Sequence, residues 1–206
     1  MDTNAKQELL RKSYTKLYAD QNLDALVTCV GKAFKNNLTE KNDWWLQVFT
    51  LSMKKEDFRT AESMLDFDMT YSITDMGTFD FLVELIVGEE GLKHLKALKK
   101  YDAEDLDYMV TSVVWDLLKF ALNESSFSFI DIENKFNTIF SKLFSSLFPS
   151  SDPTSFWEPF CKYIDVQLDD IPEKFHEELV GLFIENAGDE DSSSYALVSS
   201  AALDFL

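Results

Sequence analysis

The sequence is poor in the residues on which most enzymes and metal sites depend. Its 206 residues include two cysteines, Cys29 and Cys161, and two histidines, His94 and His176. All four lie far apart, so a zinc site would need folding to gather them, and neither cysteine has a histidine nearby in sequence to activate it. We therefore expect no catalytic residue, no metal and no cofactor. Two cysteines in an unexported chain also predict free, buried thiols.

The sequence also lacks the loops that bind phosphate or calcium. The segment 88–91 reads Gly-Glu-Glu-Gly, and its two carboxylates would repel a phosphate group. His176-Glu177-Glu178 begins like a zinc protease motif, but Val180 stands where the second histidine belongs. The acidic pairs do not match the spacing of a calcium loop. A carboxylate-based or metal-dependent enzyme stays an alternative only because acidic residues are abundant.

Long apolar runs are absent. The most apolar stretch, 79–87, contains Asp80 and Glu84, which predicts that no segment spans a membrane. Residues 1–20 are too rich in charge to hold the apolar core of a signal peptide, so we expect a cytoplasmic protein. Six glycines and four prolines are few for a chain rich in tight turns, which favours helices.

Positive charge is scarce in the second half of the chain. Residues 1–100 hold 14 Lys/Arg and 16 Asp/Glu, a net charge of −2, whereas residues 101–206 hold 5 and 21, a net of −16. The electric field of so acidic a segment repels nucleic acid and anionic membranes and attracts cationic surfaces. With 46% apolar residues and 18 phenylalanines, the charge decorates a folded body and not a disordered tail. We expect a basic partner protein, with no direct binding of nucleic acid or membrane.

Apolar residues recur at helical spacing along most of the chain, and no alternating run long enough for a sheet appears. Representative stripes are Leu23, Leu26, Val30 and Phe34; Leu106, Val110, Val113 and Leu117; and Phe136, Ile139, Phe140 and Leu143. Asn22 can cap the first of these helices, and Gly188 is placed to end the helix that Pro172 begins. The predicted fold is all-α, either a helical-hairpin solenoid or an irregular helical bundle. The segment 150–154, Ser-Ser-Asp-Pro-Thr, is the best linker candidate. It predicts a helical-repeat region at 1–149 and an acidic C-terminal helical region at 150–206 that packs on the first.

One segment of the chain echoes another at a distance of 34 residues. A shift of that length places Trp45 on Phe79 and Phe58 on Leu92, with further apolar matches between these pairs. Each copy has the pattern of a helix, a short polar turn of four residues (54–57 or 88–91), a second helix and a loop. A period of about 34 residues with that layout is typical of a helical-hairpin solenoid.

Residues 40–102 resemble the ankyrin repeat. The segment 75–79, Asp-Met-Gly-Thr-Phe, is similar to the opening of that repeat, and residues 92–98 are similar to its second helix. The Thr-Pro-Leu-His sequence of the family is absent, and no glycine follows Leu98. The resemblance implies a concave protein-binding face and no catalysis. The alternative is two ordinary helical hairpins whose periods coincide.

These observations favour a non-enzymatic protein-binding module, an inhibitor or immunity-type protein that docks on a basic partner such as a toxin or a nuclease. One alternative is a DNA-mimic inhibitor of a nucleic-acid-binding enzyme, with carboxylates in place of phosphates. A mimic commonly spreads charge along its whole length, whereas residues 1–100 are nearly neutral here. The other alternative is the carboxylate-based or metal-dependent enzyme.

Acidic residues around Pro172 are the predicted contact site, because one helix ends there and the next begins. Glu173 and Glu177 lie nearly opposite Phe175 on a helix, so they face solvent if Phe175 is in the core. The predicted partner-binding residues of this site are Asp165, Asp169, Asp170, Glu173, Glu177 and Glu178.

A tryptophan pair supplies a second candidate contact. Trp44 and Trp45 are adjacent, so a helix cannot bury both indole rings on one face. We therefore expect one ring to be exposed as an interface anchor, and Trp44 is the candidate.

Overall fold

The computed structural model describes residues 3–65, 73–101, 103–148, 153–167 and 171–203, apart from the side chains of residues 103, 104, 166 and 203. Across these ranges the chain is helical and contains no β-strand, which confirms the all-α prediction. The chain divides into two compact units, which we call unit 1 (residues 1–72) and unit 2 (residues 73–206).

Unit 1 holds four helices in the part that is described. They are α1 (Thr3–Ala19), α2 (Leu23–Lys35), α3 (Lys41–Lys54) and α4 (Phe58–Leu65). Asn22 caps α2, as its position predicts, by accepting a hydrogen bond from the amide of Ala25. Helix α2 packs against α1, α3 and α4, so its stripe of apolar residues forms the centre of the unit.

Both tryptophans of α3 are buried. The exposed fraction is 7% for Trp44 and 0% for Trp45, so the expectation of an exposed indole is wrong. The Tyr14 ring of α1 stacks on Trp44 with centroids 4.0 Å apart, and Trp45 Nε1 donates a hydrogen bond to the carbonyl oxygen of Met64 in α4. Neighbouring helices thus cover two different faces of α3, and each face takes one ring.

Unit 2 contains α5 (Met76–Val87), α6 (Glu89–Lys99), α7 (Ala103–Asn123), α8 (Phe129–Ser146), α9 (Thr154–Gln167), the 3₁₀ helix Glu173–Phe175, α10 (His176–Asn186) and α11 (Ser193–Leu203). Helix α7 packs against α5, α6, α8 and α9. Unit 2 is therefore an irregular bundle around α7, the second of the two predicted architectures.

An aromatic cluster joins the helices of unit 2. Its rings lie 5.2–6.2 Å apart between centroids and are fully buried; they belong to Phe140, Phe156, Trp157, Phe160 and Phe183. These residues come from α8, α9 and α10, so the C-terminal helices share a core with the earlier ones. Helices α9 and α10, which follow the predicted linker, share this core with α8. The boundary between compact units, however, lies at 72/73 and not at 149/150.

The two predicted hairpins are present as α3–α4 in unit 1 and α5–α6 in unit 2. Their turns differ. Residues 55–57 join the first pair, whereas Gly88 alone separates α5 from α6, so the expected four-residue turn at 88–91 is wrong. Gly91 explains the shorter turn, because a Cβ atom there would lie 1.8 Å from the Leu85 carbonyl oxygen. The ankyrin resemblance itself stays a prediction.

Candidate acidic interface

The predicted contact site lies where α9 gives way to α10. Pro172 precedes the 3₁₀ helix, and His176 Nε2 hydrogen-bonds the carbonyl oxygen of Ile171 at 3.1 Å. Gly188 follows α10 with a φ of +103°, so this glycine ends the helix in the left-handed conformation that its position predicts. Local turn chemistry therefore fixes both ends of the acidic helix.

Phe175 holds this turn against α8. Its half-buried ring stacks on Phe129 with centroids 5.9 Å apart, and Lys174 Nζ lies 4.5 Å from the same ring's centroid. Because Phe175 points inward, Glu173 and Glu177 point outward, and both are exposed as predicted.

The other predicted acidic residues divide into two groups. Asp165 is exposed on α9, and Glu178 is exposed beside Glu177 on α10. Asp169 and Asp170 lie outside the described residues. The described members are thus solvent-facing residues of two helices, with Glu173 in the 3₁₀ helix between them. Their role in binding stays a prediction.

The acidic surface extends beyond the predicted partner-binding residues. Four more exposed carboxylates follow Glu178, namely Glu185, Asp189, Glu190 and Asp191. The signal was present in the sequence, since no Lys or Arg follows Lys174. We call the exposed set Glu173, Glu177, Glu178, Glu185, Asp189, Glu190 and Asp191 the α10 surface. Among the described residues, none of its carboxylates forms an ion pair.

The loop after α10 is held by hydrogen bonds. The amide of Ser192 donates to the Asp189 carbonyl oxygen at 2.8 Å, and the Ser192 hydroxyl donates to the Ala187 carbonyl oxygen at 3.4 Å. The same hydroxyl accepts from the amide of Tyr195 in the first turn of α11. The acidic side chains of this loop therefore extend from a hydrogen-bonded backbone turn.

The two thiols are free and buried, as expected, and lie in different units. Burial, reinforced by the negative charge of Asp165, raises the pKa of Cys161 to about 12. Burial also raises the pKa of Cys29. A thiol is nucleophilic only as its thiolate, so these environments disfavour cysteine catalysis.

The two histidines lie on different helices of unit 2, α6 and α10. His94 is half-buried, and burial lowers its pKa. His176 is engaged with the backbone of the turn before its helix.

In the described part of the chain, no three His, Cys, Asp or Glu side chains come close enough together to hold a metal ion. No helix in those residues is both long and apolar enough to cross a membrane. In comparisons with known proteins, no family model, no curated protein and no solved structure matches this chain.

Proposed function

We propose that this chain is a non-enzymatic protein-binding module of the inhibitor or immunity type, whose α10 surface docks on a basic partner protein. The observation that supports the proposal is the exposed set of carboxylates on the α10 surface, none of which forms an ion pair within the part of the chain that the structure describes. Glu173, Glu177 and Glu185 fall at multiples of four residues, and Gly181 occupies the remaining position of that series. Glu177 and Glu185 lie about 12 Å apart along the axis of α10, and Glu173 lies in the 3₁₀ helix that precedes it, so the three exposed carboxylates are spread along the length of this segment.

The charge balance of the two units supports the same surface. Unit 1 holds 10 Lys/Arg and 11 Asp/Glu, whereas unit 2 holds 9 and 26, so almost all of the net charge of −18 belongs to unit 2. Like charges that lie close together oppose folding. A cationic partner would relieve that repulsion on binding, and opposite fields accelerate association.

The experiment compares two variants that change the net charge by the same amount in the same unit. The test variant replaces Glu173, Glu177 and Glu185 with Gln. The control replaces Glu84, Glu89 and Asp105 with the corresponding amides; these carboxylates are exposed on α5, α6 and α7. A partner captured on immobilised wild-type protein from extracts of the source cell is then mixed with each variant in a stopped-flow instrument.

We expect the test variant to associate about tenfold more slowly than wild type at 50 mM NaCl, with a smaller difference at 500 mM. The control should stay within about twofold of wild type. Equal slowing by both variants would reduce the effect to net charge alone and contradict a defined α10 interface.

The DNA-mimic alternative is the narrower form of this proposal, and the same reagents separate the two. If the α10 surface replaces a nucleic acid, a short DNA duplex should displace the partner in competition with the chain. If the partner's contact surface is not a nucleic-acid site, the duplex should leave the complex intact at physiological salt.

A further inference from the structure

More than half of the lysines of unit 2 line two grooves. Its nine lysines all lie in the described part of the chain, as do 20 of its 26 acidic side chains, and it contains no arginine. Five of these nine lysines line two grooves formed by α5, α6 and α8, whereas two of the 20 acidic side chains do so. The lining of the two grooves is therefore basic in an acidic unit, although Lys93 also pairs with Glu90 and Lys135 with Asp80.

The first groove follows α6 and has a volume of about 460 Å³. Lys93, Lys96 and Lys100 line it at positions i, i+3 and i+7, which places their side chains along one helix face. Lys96 and Lys100 are exposed, and neither has an ion-pair partner among the described residues. Leu92 and Ala97 supply an apolar surface between the charges.

The second groove lies between α5 and α8 and has a volume of about 710 Å³. Val83, Val87 and Ile139 contribute its apolar surface. Lys142 lines it and donates a hydrogen bond to the Val87 carbonyl oxygen, while Lys135 Nζ lies 4.8 Å from the centroid of the Phe79 ring. The two grooves adjoin along α8, because Lys142 is one helical turn before Ser146, which lines the first groove.

The two acidic residues in the grooves have local roles. Asp131 forms the capping box of α8 with Ser128, so its carboxylate is engaged at the start of the helix. Glu89 is the first residue of α6, where a negative side chain complements the helix dipole. Neither role explains the lysines, because Lys93, Lys96, Lys135 and Lys142 lie within the two helices beyond their first turns and Lys100 directly follows α6.

We propose that this lysine face, defined by Lys93, Lys96, Lys100, Lys135 and Lys142, binds an acidic amphipathic segment of a partner protein. Apolar side chains of the segment cover the floor of the grooves, and its carboxylates meet the lysines on the rims. The inference is independent of the α10 surface, which has the opposite charge.

The apolar floor distinguishes this occupant from two others. A second copy of the chain would offer its α10 surface, but Leu179, Leu182 and Phe183 of α10 are buried in its own core. That surface would leave the floor of the grooves uncovered. A nucleic acid is repelled at long range by the net charge of −17 of unit 2, whereas a short peptide of few charges is repelled much less.

The probe is a fluorescein-labelled helical peptide of Glu and Ala with Leu at every third or fourth position. Binding to the full chain is followed by fluorescence anisotropy at 50 mM NaCl. The test variant is K96E/K142E, and the matched control is K162E/K174E, which makes the same charge change at two exposed lysines outside the grooves. A milder variant, K96A/K100A, removes two unpaired ammonium groups in case the charge reversal disturbs folding, which circular dichroism monitors.

We expect K96E/K142E to weaken binding of this peptide at least tenfold and K96A/K100A about threefold, with the control within twofold of wild type. Equal losses in test and control variants, or no loss in either, would overturn the proposal. If a labelled DNA duplex binds this face more tightly than the peptide, the proposed peptide occupant is wrong and the face binds nucleic acid. If light scattering shows self-association that K96E/K142E abolishes, the proposed occupant is likewise wrong and the face binds a second copy of the chain. The amide variant of Glu173, Glu177 and Glu185 should leave binding of this peptide the same or stronger, which separates this test from that of the proposed function.

Discussion

Lys99 and Asp107 form a shielded ion pair that joins α6 to α7, with Lys99 Nζ 2.9 Å from Asp107 Oδ1. The ammonium group also lies 4.5 Å from the centroid of the Phe148 ring, and the carboxylate accepts a further hydrogen bond from Ser155. Burial nevertheless raises the pKa of Asp107, despite the opposing effect of Lys99. The pair therefore fixes the position of α6 relative to α7, although burial of its charges costs desolvation free energy.

This pair predicts a pH-dependent effect of removing the lysine. The pKa of Asp107 is higher in the folded protein than its unfolded value of 3.8. Protonation of Asp107 therefore stabilises the fold fully below pH 3.8, and this stabilisation is lost as the pH rises through the folded pKa. Lys99→Met should lower the free energy of unfolding by about 2 kcal/mol at pH 7, because it leaves a buried carboxylate unpaired. The loss should shrink towards pH 3, where Asp107 is protonated.

Urea denaturation of wild type, Lys99→Met and Asp107→Asn at pH 7 and pH 3 measures these differences. Asp107→Asn removes the more deeply buried charge of the pair, and because the Lys99 side chain is 26% exposed and its ammonium lies against the Phe148 ring, this variant should stay within about 1 kcal/mol of wild type at pH 7. A Lys99→Met deficit that is the same at both pH values would show that lost packing on Phe148, and not the unpaired charge, causes it.

A pair of glycines tests the close approach of α5 and α6. A Cβ atom at Gly91 would lie 1.8 Å from the Leu85 carbonyl oxygen, whereas a Cβ atom at Gly181 meets nothing within 4 Å. Gly91→Ala should therefore destabilise the protein by about 2 kcal/mol. Gly181→Ala should stabilise it by about 0.5–1 kcal/mol, because alanine is the better helix former. Thermal unfolding of both variants measures these differences. A Gly91→Ala variant as stable as wild type would contradict the close approach of residue 91 to the Leu85 carbonyl oxygen.

The buried thiols predict slow chemical modification of the native protein. Cys29 and Cys161 are 6% and 7% exposed, and burial raises the pKa of both. At pH 8 we expect native protein to react with a disulfide reagent at least about 100-fold more slowly than unfolded protein, in which both thiols should react at once. Rapid labelling of either thiol in the native state would contradict its burial.

The sequence predicted the features that depend on neighbouring residues. The helical stripes, the Asn22 cap, the end of α10 at Gly188 and the outward direction of Glu173 all follow from spacing within a few positions. Trp44 could not be placed in this way, because the ring that covers it belongs to Tyr14, 30 residues earlier. The same limit hid the lysine face, since Lys96 and Lys142 lie on helices that only the tertiary fold brings to adjoining grooves.

The most direct test of the central claim is hydrogen exchange of the chain alone and in complex with its captured basic partner. Our account predicts slower amide exchange in residues 173–191 on binding, with weaker protection at 500 mM NaCl than at 50 mM. Exchange that is unchanged in residues 173–191, with protection confined to other helices, would contradict the assignment of the α10 surface as the partner-binding interface.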